Sequence, residues 1–229
     1  MEQNFNDVDF AGSNFDINDI ATEETINAVF IIDLSPSVSQ YLTELNAALA
    51  DFTQEMQKSH VADNLFVSII EFDENVRIKS GFQPIINLKQ TTFTIAPRAS
   101  GTALYDAVKV GMKNALEWRD KLQSTGVNSK TLVFTITDGE DNSSSYNAAS
   151  EVKQMHVDIQ KDERNAFGFT SILFGVGTAA YFEGAQKEMG IQHLSKVGTT
   201  GKELRKMISF ISSSISSASA GNTVAAPTF

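Results

Sequence analysis

The chain has 229 residues with a hydrophobic share of 41%, enough to bury a large core in one large domain or two small ones. Its 18 Lys and Arg against 28 Asp and Glu give a formal charge of −10, which argues against a broad phosphate-binding surface for nucleic acid but not against a local cationic spot made by a metal. There are no cysteines, so disulfides, thiolate metal sites and thiol catalysis are excluded. The opening Met1-Glu2-Gln3-Asn4 lacks the basic and apolar regions of a secretory leader, and no apolar run reaches membrane-span length. No membrane attachment is expected, and a cytoplasmic protein is the default.

Residues 1–26 are acidic and rich in Phe, Asn and Asp, without helical period. They repeat every five residues: Asn4-Phe5, Asp9-Phe10, Asn14-Phe15, Asp19-Ile20. This is similar to the pentapeptide repeat, but so few units make only about one coil, which lacks neighbours to stack on. Two readings stand: a low-complexity acidic arm, or a short coil or strap that docks its phenylalanines on the domain or on another protomer.

From Asn27 the pattern becomes regular. Residues 27–32 read as a strand buried on both faces, as inside parallel sheets. Leu42, Leu45, Leu49, Phe52 and Met56 form one helical stripe. Leu65 to Phe72 is a second strand, and Val76 to Lys79 a shorter, charged edge strand joined to it by the turn Asp73-Glu74-Asn75. Residues 81–100 read as a loop with a short extended piece. A helix follows from Leu104 to about Leu122, then a polar loop, then a buried strand from Thr131 to Thr137. Val152, Met155, His156 and Ile159 stripe another helix, and Phe169 to Val176 is a further strand. A short helix ends at Gly190, a suitable C′ residue, and Ile191 to Leu194 reads as a last strand. Leu204, Met207, Ile208, Ile211 and Ile215 stripe the final helix.

Buried strands alternating with amphipathic helices predict a doubly wound α/β fold, with a mostly parallel sheet, one antiparallel edge strand and helices on both faces. The expected layout is an acidic arm at 1–26, the domain at 27–215 and a flexible tail at 216–229.

Sites in such sheets form beyond the carboxyl ends of strands, where strand order reverses. Asp33 and Asp138 both sit just past predicted strand ends. Asp33, Ser35 and Ser37 alternate in a loop that turns from strand to helix, and so can curl three oxygens inward. Carboxylates and hydroxyls are hard ligands, suited to a hard divalent ion such as Mg²⁺. Two carboxylates would roughly balance its charge and leave a coordination position for an acidic group from a partner.

The set Asp33-x-Ser35-x-Ser37, Ser100-Gly101-Thr102-Ala103-Leu104-Tyr105-Asp106 and Thr137-Asp138-Gly139 is similar to the von Willebrand factor A (vWA) family. That family's metal-ion-dependent adhesion site uses Asp-x-Ser-x-Ser, a Thr and an Asp, in this order. The resemblance covers about residues 27–215. It implies Ser35, Ser37 and Thr102 as hydroxyl ligands, and Asp33 and Asp138 binding largely through water. The implied ion is Mg²⁺, with Ca²⁺ or Mn²⁺ as substitutes, and the implied partner is a protein presenting an Asp or Glu. Pro36 departs from the commoner Gly and stiffens the loop while keeping every ligand atom. Without the cysteines of many extracellular members, the chain resembles the intracellular branch. Its segment from Ile208 to Ser219 is similar to bacterial vWA proteins of tellurite-resistance-type and phage gene sets.

Blander readings compete residue by residue. Ser35, Ser37 and Thr102 each also read as helix caps alone, and Thr137-Asp138-Gly139 as a turn alone. Asp106, one helical turn beyond Thr102, either supports the site from behind or is a solvated helix charge. Gly101 and Gly139 flank ligands. Asp141 and Asn142 line the rim, hold a second ion, or belong to a solvated loop. His60, His156 and His193 are scattered and read as core or surface residues. An enzymatic alternative makes Asp33 the nucleophile of a Mg²⁺-dependent phosphatase. That chemistry needs a second acid two residues on, where this chain has Ser35. A third reading is self-association, with Asp16, Asp19, Glu23 or Glu24 of a neighbour's arm supplying the carboxylate.

Overall fold

Strand β1 (Glu24–Asp33) is buried along all but its first residue, and its alternate side chains enter two separate cores. Ile26, Ala28, Phe30 and Ile32 face one layer, and Val29 and Ile31 the other, as the two-residue period of a strand requires. The computed structural model describes residues 15, 17–97, 101–161, 168–178 and 180–228. The remaining elements are α1 (Leu42–Gln57), β2 (Leu65–Phe72), β3 (Val76–Pro84), α2 (Leu104–Ser124), β4 (Asn128–Thr137), α3 (Ala148–Lys161), β5 (Phe169–Val176), α4 (Phe182–Met189), β6 (His193–Val197) and α5 (Gly201–Ser219).

They form a six-stranded sheet in the order β3-β2-β1-β4-β5-β6. Only β3 is antiparallel to its neighbour. Helices α1 and α5 cover one face and α2, α3 and α4 the other, which is the doubly wound architecture expected from the sequence. Helix α2 approaches β1 closely because Gly111 has no side chain; a Cβ there would lie 2.5 Å from Ile31 Cδ1. The Trp118 indole on the same helix donates to Asn27 Oδ1 on β1 at 3.1 Å, which fixes the helix lengthwise.

Several boundaries differ from expectation. Strand β3 runs five residues beyond Lys79, through Phe82, which is buried against the Trp118 ring. The segment after it, expected as loop, contains two short 3₁₀ turns and contributes Ile85, Leu88, Phe93 and Ile95 to the core. Polar residues of α1 tie it down: Asn46 exchanges two hydrogen bonds with the Ile95 backbone, and Gln57 donates to the carbonyls of Ile85 and Leu88. Helix α5 continues to Ser219 and buries Ala218. Gly190 follows α4 in a left-handed conformation, φ +69°, as its C-cap role predicts.

Phe5 and Phe10 of the period-five row lie outside the described residues. Phe15 does not: its ring meets Phe66 edge-on at 5.5 Å, and Ile17 and Ile20 pack on the same core.

Candidate metal centre

The carboxyl ends of β1 and β4 lie side by side, and the chain leaves them for opposite faces of the sheet. A crevice forms at such a switch point because the two connections diverge. Asp33 is the last residue of β1 and Thr137 the last of β4. The Thr137 hydroxyl donates to Asp33 Oδ2 at 2.6 Å, and Ser35 N–H donates to Asp33 Oδ1 at 2.8 Å. Beyond β1 a single 3₁₀ turn starting at Pro36 brings the next two side chains round. Ser35 Oγ lies 3.0 Å from Ser37 Oγ, and Ser37 Oγ donates to Asp138 Oδ1 at 2.7 Å. Two segments a hundred residues apart in sequence are therefore joined oxygen to oxygen.

Thr102 arrives from the third segment. Its backbone N–H donates to Asn142 Oδ1 at 2.8 Å, and its carbonyl accepts from Asn142 N–H at 3.0 Å. Gly139 is bare on the facing side; a Cβ there would lie 3.4 Å from Thr102 Oγ1. The N-terminus of α2 has no side-chain cap of its own, and the loop after β4 supplies one. Asp141 accepts from Tyr105 N–H, Ser144 Oγ accepts from Asp106 N–H, and Asp106 Oδ2 accepts from Ser145 N–H and Oγ–H. Asp106 is buried rather than solvated, and its Oδ1 has no hydrogen-bond partner among the described residues. Gly101, at φ +106°, allows the loop to pass Ser143 and Glu74, where a Cβ would clash. Ser100 lies outside the described residues. The loop carrying Thr102 is thus bolted to the loop carrying Asp138.

The sequence matches the model of the von Willebrand factor type A domain over residues 27–187. The chain belongs to this family. No curated protein matches it. Among solved structures, the D319A mutant of the PilB minor pilin from Streptococcus sanguinis superposes with a TM-score of 0.58 at 14% identity, over 86% of this chain and 62% of that one. The pilus adhesin SpaC from Lactobacillus rhamnosus GG gives 0.62 at 11% identity, over 84% and 30%. Proximal thread matrix protein 1 from the mussel byssus, with a zinc-occupied MIDAS motif, gives 0.61 at 15% identity, over 85% and 48%. This chain therefore spans from under one third to about three fifths of these relatives' lengths, and at such identities the likeness shows the fold alone.

These matches correct one expectation. The solved structures it superposes on belong to a pilin, a pilus adhesin and a byssus protein, not to an intracellular tellurite-resistance-type branch, so the cytoplasmic assignment is withdrawn with that branch. A lack of cysteine is compatible with a reducing compartment but does not mark one. No described helix is long and apolar enough to cross a membrane.

The donor set of this vWA domain fits a hard divalent cation. Asp33 and Asp138 are 1% and 8% exposed, and among the described residues no lysine or arginine pairs with either. Burial raises the Asp33 pKa above the usual carboxylate range; hydrogen bonds from Thr137 and Ser35 offset part of that, and the Asp138 charge adds to it. Adjacent buried acids without a counter-charge cost several kcal/mol, which a divalent ion would offset. Among the described residues no three His, Cys, Asp or Glu converge on a point.

Tyr41 went unrecognised in the sequence. It is buried behind the site, hydrogen-bonded to Asp138, and its phenol pKa is raised by burial and by the charges of Asp138 and Asp33. A neutral phenol there steadies Asp138 without competing with a cation. Its only sequence signal was a tyrosine opening a helix, which reads equally as core.

Proposed function

We propose that this vWA domain is a metal-dependent protein-recognition module. Asp33, Ser35, Ser37, Thr102 and Asp138 hold a divalent cation, Mg²⁺ before Ca²⁺ or Mn²⁺, and the partner contributes an Asp or Glu. The observation that carries this reading is the pair of buried acids without a cationic side chain, set beside hydroxyls from two loops. When bound, the ion supplies a position at which an incoming carboxylate is coordinated. The oxygen-only donor set favours a hard ion over the zinc seen in the byssus protein. The bonds between Asn142 and Thr102, with that from Ser37 to Asp138, keep the three loops in register, so the site needs little ordering when a partner arrives.

A non-enzymatic role is consistent with the pilin, adhesin and thread-matrix names of the structural relatives. For the layout we propose an acidic arm, a domain and a tail, with the domain's elements reaching from Glu24 to Ser219 rather than from 27 to 215. Self-association through the arm would need a neighbouring copy. Glu24 opens β1 and pairs with Lys130, at the opposite end of the strand from Asp33, about 30 Å away.

The test is capture of partners from native lysate with Mg²⁺ or with EDTA, using wild type and Asp33→Ala. Partners retained only by wild type with Mg²⁺ support the module. Partners retained equally in all samples would refute it.

A further inference from the structure

Of the three hydroxyls assigned to the ion, two already have a place for their protons. Ser37 Oγ donates to Asp138 Oδ1 at 2.7 Å, so in its 3.0 Å contact with Ser35 Oγ it is Ser35 that donates. Thr102 is the exception. Its N–H and carbonyl are both bonded to Asn142, but among the described residues its hydroxyl makes no hydrogen bond. A hydroxyl that gives a lone pair to a cation keeps its proton, and the nearby charge makes that proton a stronger donor. Thr102 is 5% exposed, so the protein itself has to supply the acceptor.

An acceptor with the matching deficiency lies four residues on. Asp106 is 5% exposed, and its Oδ1 has no donor among the described residues. Its Oδ2 is held by Ser145, through N–H at 2.8 Å and Oγ–H at 3.0 Å, so the carboxylate is fixed in place. Asp106 stands in the first turn of α2 and Thr102 just before its N-cap, Ala103; side chains on a helix lean toward its N-terminus. Both meet the loop after β4, Thr102 at Gly139 and Asp106 at Ser145. A buried carboxylate oxygen without a donor is costly, and a donor that forms with the ion accounts for it.

We propose that Asp106 is a positioning residue of the metal site: its Oδ1 accepts the Thr102 hydroxyl proton when Thr102 binds the ion. This inference rests on the metal-dependent reading above. The proton stays on Thr102, and only the hydrogen bond is new. That bond turns the Thr102 lone pair toward the cation and makes its oxygen the more basic ligand, as the outer partners of metal ligands do.

Calorimetric titration with Mg²⁺ alone tests this on wild type, Asp106→Asn, Thr102→Val and the double variant. The amide of Asp106→Asn keeps an oxygen for Ser145 and puts a donor where Thr102 needs an acceptor, so the fold should persist; urea melts without Mg²⁺ check this. Affinity should fall at least about tenfold in Asp106→Asn. The double variant should bind within about threefold of Thr102→Val, because without the hydroxyl Asp106 has nothing to act on. Ser145→Ala controls for a merely structural role: it frees the other oxygen of the same carboxylate and should leave Mg²⁺ affinity nearly unchanged.

Equal losses from Asp106→Asn in the wild-type and Thr102→Val backgrounds, no loss in either, or a loss as large in Ser145→Ala, each overturn the proposal. Asp33→Ala judges the metal reading separately. If that variant loses Mg²⁺ while Asp106→Asn does not, only the role of Asp106 falls.

Discussion

Two pairs of buried acids stand on neighbouring strands of one sheet, and they are treated in opposite ways. At the β2–β3 hairpin, Glu71 is paired with Lys79 and Asp73 with Arg77. At the ends of β1 and β4, Asp33 and Asp138 have hydroxyl and amide neighbours but, among the described residues, no cation. The consequence shows in the acids themselves. Burial acts to raise Asp73, but Arg77 and the Asn75 N–H outweigh it, and its pKa is lowered. Asp33 is raised. An acid with its counter-charge built into the chain is structural; an acid without one is suited to a counter-charge that comes and goes. The two pairs are also physically linked, because the Asp73 carbonyl accepts Ala103 N–H at 2.7 Å and so steadies the loop that carries Thr102.

Exchanging the roles of these pairs is the sharpest way to break the comparison. Asp33→Ala should weaken Mg²⁺ binding by more than about 100-fold and abolish the rise in melting temperature that Mg²⁺ gives the wild type. The metal-free variant should be at least as stable as the metal-free wild type, because a repulsive buried charge has gone. Calorimetric titration and thermal melts read both. A Mg²⁺-dependent shift surviving in Asp33→Ala would remove the distinction.

Arg77→Met should do the reverse: it should retain Mg²⁺ binding within a few-fold but lose about 1–3 kcal/mol of stability by denaturant melts. This is less than for a fully buried pair, since Arg77 is one-third exposed. A large loss of Mg²⁺ affinity at unchanged stability would show the hairpin pair to belong to the site.

Tyr41→Phe removes the phenol that holds Asp138 but no proposed ligand atom. It should weaken Mg²⁺ binding by less than about tenfold, in the range of one hydrogen bond to a charged group. An effect as large as that of Asp33→Ala would place Tyr41 among the ligands.

The smallest effect concerns pH. His156 is buried and bonded to Ser171 Oγ at 2.8 Å, and burial lowers its pKa below 6.5. The unfolded chain therefore binds the proton first as pH falls. The stability from His156 is complete above about pH 6.5 and declines as pH drops from there toward the folded-state value. His193, also lowered by burial, contributes in the same direction. Urea melts between pH 7 and pH 5 should show the slope, shallower in His156→Gln.

Much of this was legible in the sequence because the two signals involved are local. Asp33 and Asp138 each end an apolar run, and a strand end is where a doubly wound sheet exposes its side chains. The stripes of α1, α2 and α5 follow from helical period. What was not legible depends on distant partners. Ile85, Leu88 and Ile95 read as loop residues because nothing near them in sequence reveals that Gln57 docks the backbone of the first two and Asn46 that of the third. Helix α5 outlasts its apolar stripe because Ala218 is buried in the core and its carbonyl accepts from Lys130 Nζ, while the serines around it carry no apolar period, so the tail looked structureless. The Asp73–Arg77 pair passed for ordinary turn chemistry.

The most direct measurement is the anomalous difference density of crystals grown with Mn²⁺. One strong peak should appear, enclosed by the hydroxyls of Ser35, Ser37 and Thr102 and flanked by Asp33 and Asp138, and it should be lost in Asp33→Ala. A Mn²⁺ peak bound elsewhere, with those five side chains left as they are described here, would contradict it.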